Sequence, residues 1–246
     1  MSEIHEIHAR IIFDSQGLPA PEVEVILKNG IAASASVPGG KDFSAGSRNP
    51  VLNSIAPELE GLDIVDQMEL DRLMTEAAGG ESSCVTFAVS LACARAAAEF
   101  LELPLFRCLG GVRACRMPVP VFCRSGEKET VFLPEKAAAF REAYHLGAAF
   151  LRAQSGEPGN MPDAVEFFPA AHGTVSHALL AAEKICRNGQ NILFRQCGST
   201  GDDGLADLAV AAGAAFIFPG KEAQIPVCNR LLRIGEMLGD LQEYGV

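Results

Sequence analysis

The chain has 246 residues, 48% of them hydrophobic and 21% charged, which is enough to bury a real core in one large domain or two modest ones. Acidic residues outnumber basic ones by 31 to 20, for a formal charge of -11 and a pI near 4.9, so phosphate backbones are repelled and nucleic acid is excluded as a partner. No apolar run approaches the roughly 20 residues that cross a bilayer, and the opening Met1-Ser2-Glu3-Ile4-His5-Glu6 has neither the basic start nor the apolar centre of a signal peptide. A cytoplasmic location and no membrane partner are expected.

Residues 4 to 37 alternate apolar and polar positions in two runs, His5 to Phe13 and Glu22 to Leu27, punctuated by Gly17-Leu18-Pro19 and Lys28-Asn29-Gly30. That pattern predicts a three-stranded antiparallel meander. Residues 38 to 61 are rich in Gly, Ser, Pro and Asn without strong periodicity, and are expected to form a long loop with at most one short helix. Asp63 to Met74 has helical spacing behind an acidic cap, and Thr86 to Leu101 is an Ala-rich, nearly uncharged helix expected to be buried on most sides.

After about residue 115 the texture changes, giving two expected domains, 1–114 and 115–246. Met117 to Cys123 and Thr130 to Leu133 are short apolar runs, followed by a helical pattern over 135–154. Strand and helix patterns then alternate: Ala164 to Phe168 before 173–188, Asn191 to Arg195 before 203–213, and Ala215 to Phe218 before 226–239. Repeated βα units imply a parallel sheet or barrel with ligands at the carboxyl ends of the strands. No glycine-rich nucleotide loop follows any of these strands. The eight cysteines form no C-x-x-C pair and are read as small apolar side chains, not as a disulfide framework or a zinc site.

Several segments, in order, resemble enolase (phosphopyruvate hydratase). Ala9-Arg10-Ile11-Ile12-Phe13-Asp14-Ser15-Gln16-Gly17-Leu18-Pro19 with Glu22-Val23-Glu24-Val25 resembles A-R-E-I-L-D-S-R-G-N-P-T-V-E-V. Pro104-Leu105-Phe106-Arg107-Cys108-Leu109-Gly110-Gly111 resembles P-L-Y-x-Y-L-G-G, and Met117-Pro118-Val119-Pro120 resembles L-P-V-P. Ala206-Asp207-Leu208-Ala209-Val210 and Asn229-Arg230-Leu231-Leu232-Arg233-Ile234 resemble I-A-D-L-A-V and N-R-L-L-R-I. The blocks at Asn53 to Asp63, Ala88 to Ala98 and Gly173-Thr174-Val175 add to the likeness, which covers the first 154 residues and the last 80 or so. The resemblance implies an α+β amino-terminal domain, a meander plus helices, followed by an α/β (TIM-like) barrel, in a homodimer.

It also implies a glycolytic lyase that converts 2-phosphoglycerate to phosphoenolpyruvate with a lysine base, two magnesium ions held by acids, and basic residues on the phosphate. Position by position, that set is missing. The serine of the mobile loop V-P-S-G-A-S-T-G falls on Gly39, and Phe122-Cys123-Arg124-Ser125-Gly126 replaces N-G-G-x-H-A without a histidine. The base of L-K-x-N-Q-I-G-T-V falls on Phe168, and the lysine of Q-I-K-T-G falls on Phe218. Two lysines become phenylalanines, which is expected to turn a charged pocket into an apolar plug. S-H-R-S-G appears as Arg195-Gln196-Cys197-Gly198-Ser199, without its His and Arg. Lys128-Glu129-Thr130-Val131-Phe132-Leu133-Pro134 resembles Q-E-F-M-I-M-P and keeps one candidate catalytic acid, Glu129.

The strands that would carry the metal-binding acids have no counterpart in the short stretch between Gln154 and Ala164. Roughly 130 residues remain after the amino-terminal domain, against about 250 for a complete barrel, so a truncated, incomplete barrel is expected. Its open edges favour self-association or pairing with a full-length enolase. No cofactor, metal ligand or substrate-binding residue is assigned.

The remaining candidates have plainer explanations. Without partner acids, Glu129 is read as an exposed strand-end glutamate, and Glu127 and Lys128 as a solvated turn. Cys197 could be a reactive thiol but is read as buried. His172, at a helix start, and His177 are read as a loop and a helix-surface side chain. Asp202, Asp203 and Asp207 are read as capping a helix. The function expected is that of an enolase-like protein that has lost hydratase activity and acts as a binding, regulatory or structural homologue. The alternatives are a magnesium-dependent hydratase and a small-molecule binder or remodelled enzyme using Cys197 or Glu129.

Overall fold

The computed structural model describes residues 2–39, 43, 48–79, 84–120, 164–196, 198–219 and 224–244. Strands β1 (Ile4–Phe13), β2 (Pro19–Leu27) and β3 (Ala32–Ser36) form the antiparallel meander in the order β1-β2-β3, with Ala9 opposite Val23 and Val23 opposite Ala35. Asp14 builds the first turn: its Oδ1 accepts from the amides of Gln16 (2.8 Å) and Leu18 (2.9 Å). The alternation that predicts these strands is the alternation of their burial, with Val23, Val25 and Leu27 facing the core.

Helix α1 (Arg48–Leu59) occupies much of the segment expected to be a loop. Its sequence is weakly amphipathic and carries Pro57, and it is held by tertiary contact: Ile55 and Leu59, one turn apart, are fully buried and the helix packs on its neighbour α2 (Gln67–Ala77). That neighbour starts later than the spacing suggests. Its cap is Asp66, which accepts from the Glu69 amide at 3.2 Å, while Asp63 caps the preceding turn at Val65 N.

Helix α3 (Cys84–Phe100) is buried along most of its length, as its composition predicts. It lies on β2 and β3 and also touches α4 (Leu105–Gly110), so small side chains such as Ala88, Ala92 and Ala96 allow close approach on several sides.

The second layer is parallel. Strands β5 (Val119–Pro120), β6 (Ala164–Phe167), β7 (Asn191–Arg195) and β8 (Phe216–Phe218) form one sheet in the order β5-β8-β7-β6. Helices α5 (Val175–Arg187) and α6 (Gly204–Ala211) connect β6 to β7 and β7 to β8, and α7 (Gln224–Leu238) follows. A separate two-residue pairing of β4 (Arg116–Met117) with β9 (Glu243–Tyr244) ties the chain's last described residues to the start of this layer. The protein is therefore an α+β mixture of an antiparallel and a parallel sheet. Thr130 to Leu133 and the helix expected over 135–154 lie outside the described residues. Among the described residues no single helix is long and apolar enough to cross a membrane.

A buried polar network joins the two layers. The Asp71 carboxylate on α2 accepts from Ser90 Oγ (2.7 Å), from the Gln67 amide (2.9 Å) and from the backbone N–H of Ser176 (2.9 Å), while Ser90 Oγ accepts from the Val175 amide at 2.9 Å. The first free amides of α5 thus find their acceptors on α2 and α3, and a carboxylate at a helix N-terminus also meets the favourable end of its dipole. Because Asp71 is 1% exposed, its loss strands several donors at once. Asp71→Ala should lower the unfolding free energy in urea by about 2–4 kcal/mol, and a change under about 0.5 kcal/mol would contradict this role.

Candidate functional site

The parallel register brings three strand ends to one level. Phe167 lies opposite Phe194 and Phe194 opposite Ile217, so the next residues, Phe168, Arg195 and Phe218, come together, with Arg195 directly opposite Phe218. The Arg195 guanidinium carbon sits 4.9 Å from the centre of the Phe218 ring and 5.7 Å from that of Phe168. Phe218 ends β8 and Phe168 directly follows β6, the two strands that flank β7. Arg195 Nη1 is paired with Glu166, and among the described residues its buried Nε has no acceptor.

Of the two phenylalanines expected to plug the pocket, Phe168 borders a cavity of about 160 Å³ between the ends of β6 and β7 and the amino-terminal layer, whereas Phe218, packed on Arg195, is not part of its lining. Its apolar wall comes from Phe87 and Leu91 on α3, Leu205 and Leu208 on α6, and Phe168, while Arg195, Gln196 and Asp202 supply its polar groups. Sequence comparison identifies Phe168 and Phe218 but misses the arginine between them. The signal was available: three parallel strands whose final residues read Phe, Arg, Phe.

The loop from Gly198 onward closes the cavity's edge. Gly198 has φ +83°, and a Cβ there would lie 3.2 Å from Asp14 Oδ2 and 3.3 Å from Pro38 Cβ, so this turn needs both the left-handed backbone and the missing side chain. Ser15 N donates to Ser199 O at 2.7 Å, and Ser199 N to Ser15 Oγ at 3.1 Å. Gly39 is similarly constrained: a Cβ there would meet Pro19 O at 2.4 Å and Phe43 Cδ1 at 2.6 Å.

The three aspartates are ion-pairing groups more than caps. Asp202 accepts from Gly204 N at 2.8 Å, as a cap does, but also from both terminal nitrogens of Arg95 (2.8 Å each) and from Ser36 N. Asp203 stands at the cap position of α6 without a cap hydrogen bond and pairs with Arg95 at 3.1 Å; burial holds its carboxyl above the usual value, against the opposing pull of Arg95. Asp207, 1% exposed, takes Arg230 Nε and Nη2 at 2.7 Å and the Phe106 amide at 3.2 Å.

His177 is exposed on α5, as expected, whereas His172 stacks on Phe167 with ring centres 4.6 Å apart. Of the described cysteines, Cys93 and Cys228 are buried and Cys84, Cys108, Cys115 and Cys186 are half-buried. Burial pushes the Cys84 thiol up to about 11 and the Cys93, Cys108 and Cys186 thiols upward too, so none of these four is poised as a nucleophile at neutral pH. Glu129 and Cys197 lie outside the described residues. Among the described residues no group of three or more His, Cys, Asp and Glu side chains is arranged to hold a metal ion. No known family model matches the chain.

Partial burial, helped by the nearby His177, lowers the pKa of His172 below its ordinary 6.5. The unfolded chain therefore binds this proton more readily, and stability falls as pH drops below about 6.5 toward the folded value. His172→Phe, which keeps the stack, should reduce that slope in thermal unfolding followed from pH 7 to 5; an unchanged slope would refute the assignment.

Proposed function

We propose that this chain is an enolase-like protein without phosphopyruvate hydratase activity, serving as a binding, regulatory or structural homologue. The observation that carries the proposal is the Phe168, Arg195 and Phe218 cluster at three adjacent strand ends. The resemblance puts lysines at Phe168 and Phe218. A phenyl ring cannot take a carbon-bound proton, and a guanidinium, which carries five N–H donors and no acceptor, is no base either.

The donor set also does not fit magnesium, which requires hard oxygen ligands in near-octahedral geometry. The acid that lines the cavity, Asp202, is already held by Arg95, Ser36 N and Gly204 N. Gly39 stands where the resemblance has a metal-reaching serine, and its surroundings leave no room for a side chain.

In this proposal the amino-terminal layer is the preserved part and the barrel is truncated. The chain is cytoplasmic and associates with itself or with a full-length enolase. The small-molecule alternative draws support from the cavity at the strand ends.

The test is a coupled assay for phosphoenolpyruvate from 2-phosphoglycerate with added magnesium. No turnover above the uncatalysed rate is expected. Clear turnover that a chelator abolishes would overturn the proposal.

A further inference from the structure

We propose that the strand-end cavity binds a small monocarboxylate whose apolar body is about the size of a benzene ring. This inference stands apart from the loss of hydratase activity: turnover would overturn that reading alone, and failure to bind would overturn only this one.

Size comes first. A protein cavity of about 150 Å³ lined by aliphatic and aromatic side chains takes up benzene, and this one measures about 160 Å³. Its wall of Phe87, Leu91, Phe168, Leu205 and Leu208 gives a polar body no partner and rewards an apolar one. A phosphorylated, hydroxylated three-carbon acid matches that wall poorly.

Charge decides the headgroup. Arg195 carries five N–H donors, and among the described residues its only hydrogen-bond acceptor is Glu166, at Nη1. The Phe168 and Phe218 rings lie against the guanidinium, which leaves its in-plane donors as the way to approach it. Glu166 sits on the outer side of the strand end with its side chain 53% exposed, so water screens its share of the pairing. Asp202, the acid on the cavity wall, does not repel an incoming carboxylate as a free charge would, because Arg95 binds it through two 2.8 Å bonds. An acceptor with two oxygens in one plane is the complement of a guanidinium's paired in-plane donors.

The chain has no Trp, so binding is best read by calorimetry on the whole protein, titrated with benzoate, benzamide and toluene. Benzoate should bind saturably in the millimolar range or tighter, and at least about tenfold more tightly than benzamide, its neutral isostere. Leu205→Phe, which fills the cavity and leaves Arg195 in place, should abolish binding of benzoate and toluene together. Arg195→Met should bring benzoate to the level of benzamide. The comparison of benzoate with benzamide on the unaltered protein stands even if a variant fails to fold. No saturable binding of benzoate, or equal affinity for benzoate and benzamide, would overturn the proposal.

Discussion

The structure depends on the burial of α3. A helix with scarcely a charge along 17 residues cannot stop at one interface; it needs neighbours on most sides, and it finds the meander on one and the parallel layer on another. Its small side chains make that possible, because each Ala replaces a ridge by a shallow surface against which a strand or helix can settle. The few polar groups it carries then become connectors. Ser90 receives the first amide of α5, and Arg95 collects Ser34 O, Asp202 and Asp203 from the two layers.

From that constraint the position of the cavity follows. With α5 fixed through Ser90 and Asp71, and the start of α6 fixed through Arg95, the ends of β6 and β7 are held facing Phe87 and Leu91 of α3. The same polar groups that hold the layers together take the local acids out of chemical use: Asp71 is consumed by donors and Asp207 by Arg230 and the Phe106 amide.

Much of the fold was legible in the sequence because it rests on periodicity. The meander shows in the alternation around Val23 and Val25, and the βα units show in the switch from short apolar runs to helical spacing. The bounds and extent of helix α1 were not legible beyond one short helix within a loop, since Arg48 to Leu59 lacks a continuous apolar stripe and owes its place to Ile55 and Leu59 meeting α2. The β4 and β9 pairing, two residues on each side, is too short for any pattern to signal. At the site, the resemblance singles out Phe168 and Phe218, but their arrangement could not be read from it. Only the register places Arg195 beside both rings, and only the packing shows a cavity with Phe168 in its wall and a cation at its edge.

The central proposal is that, among the described residues, these strand ends hold no base for a carbon-bound proton. It is tested most directly by proton NMR of 2-phosphoglycerate in deuterated buffer with magnesium and the whole protein, following exchange at the carbon that carries the phosphate. Such exchange reports proton abstraction even where elimination does not follow. The account predicts exchange no faster than in buffer alone. Protein-dependent exchange that a chelator stops would contradict it.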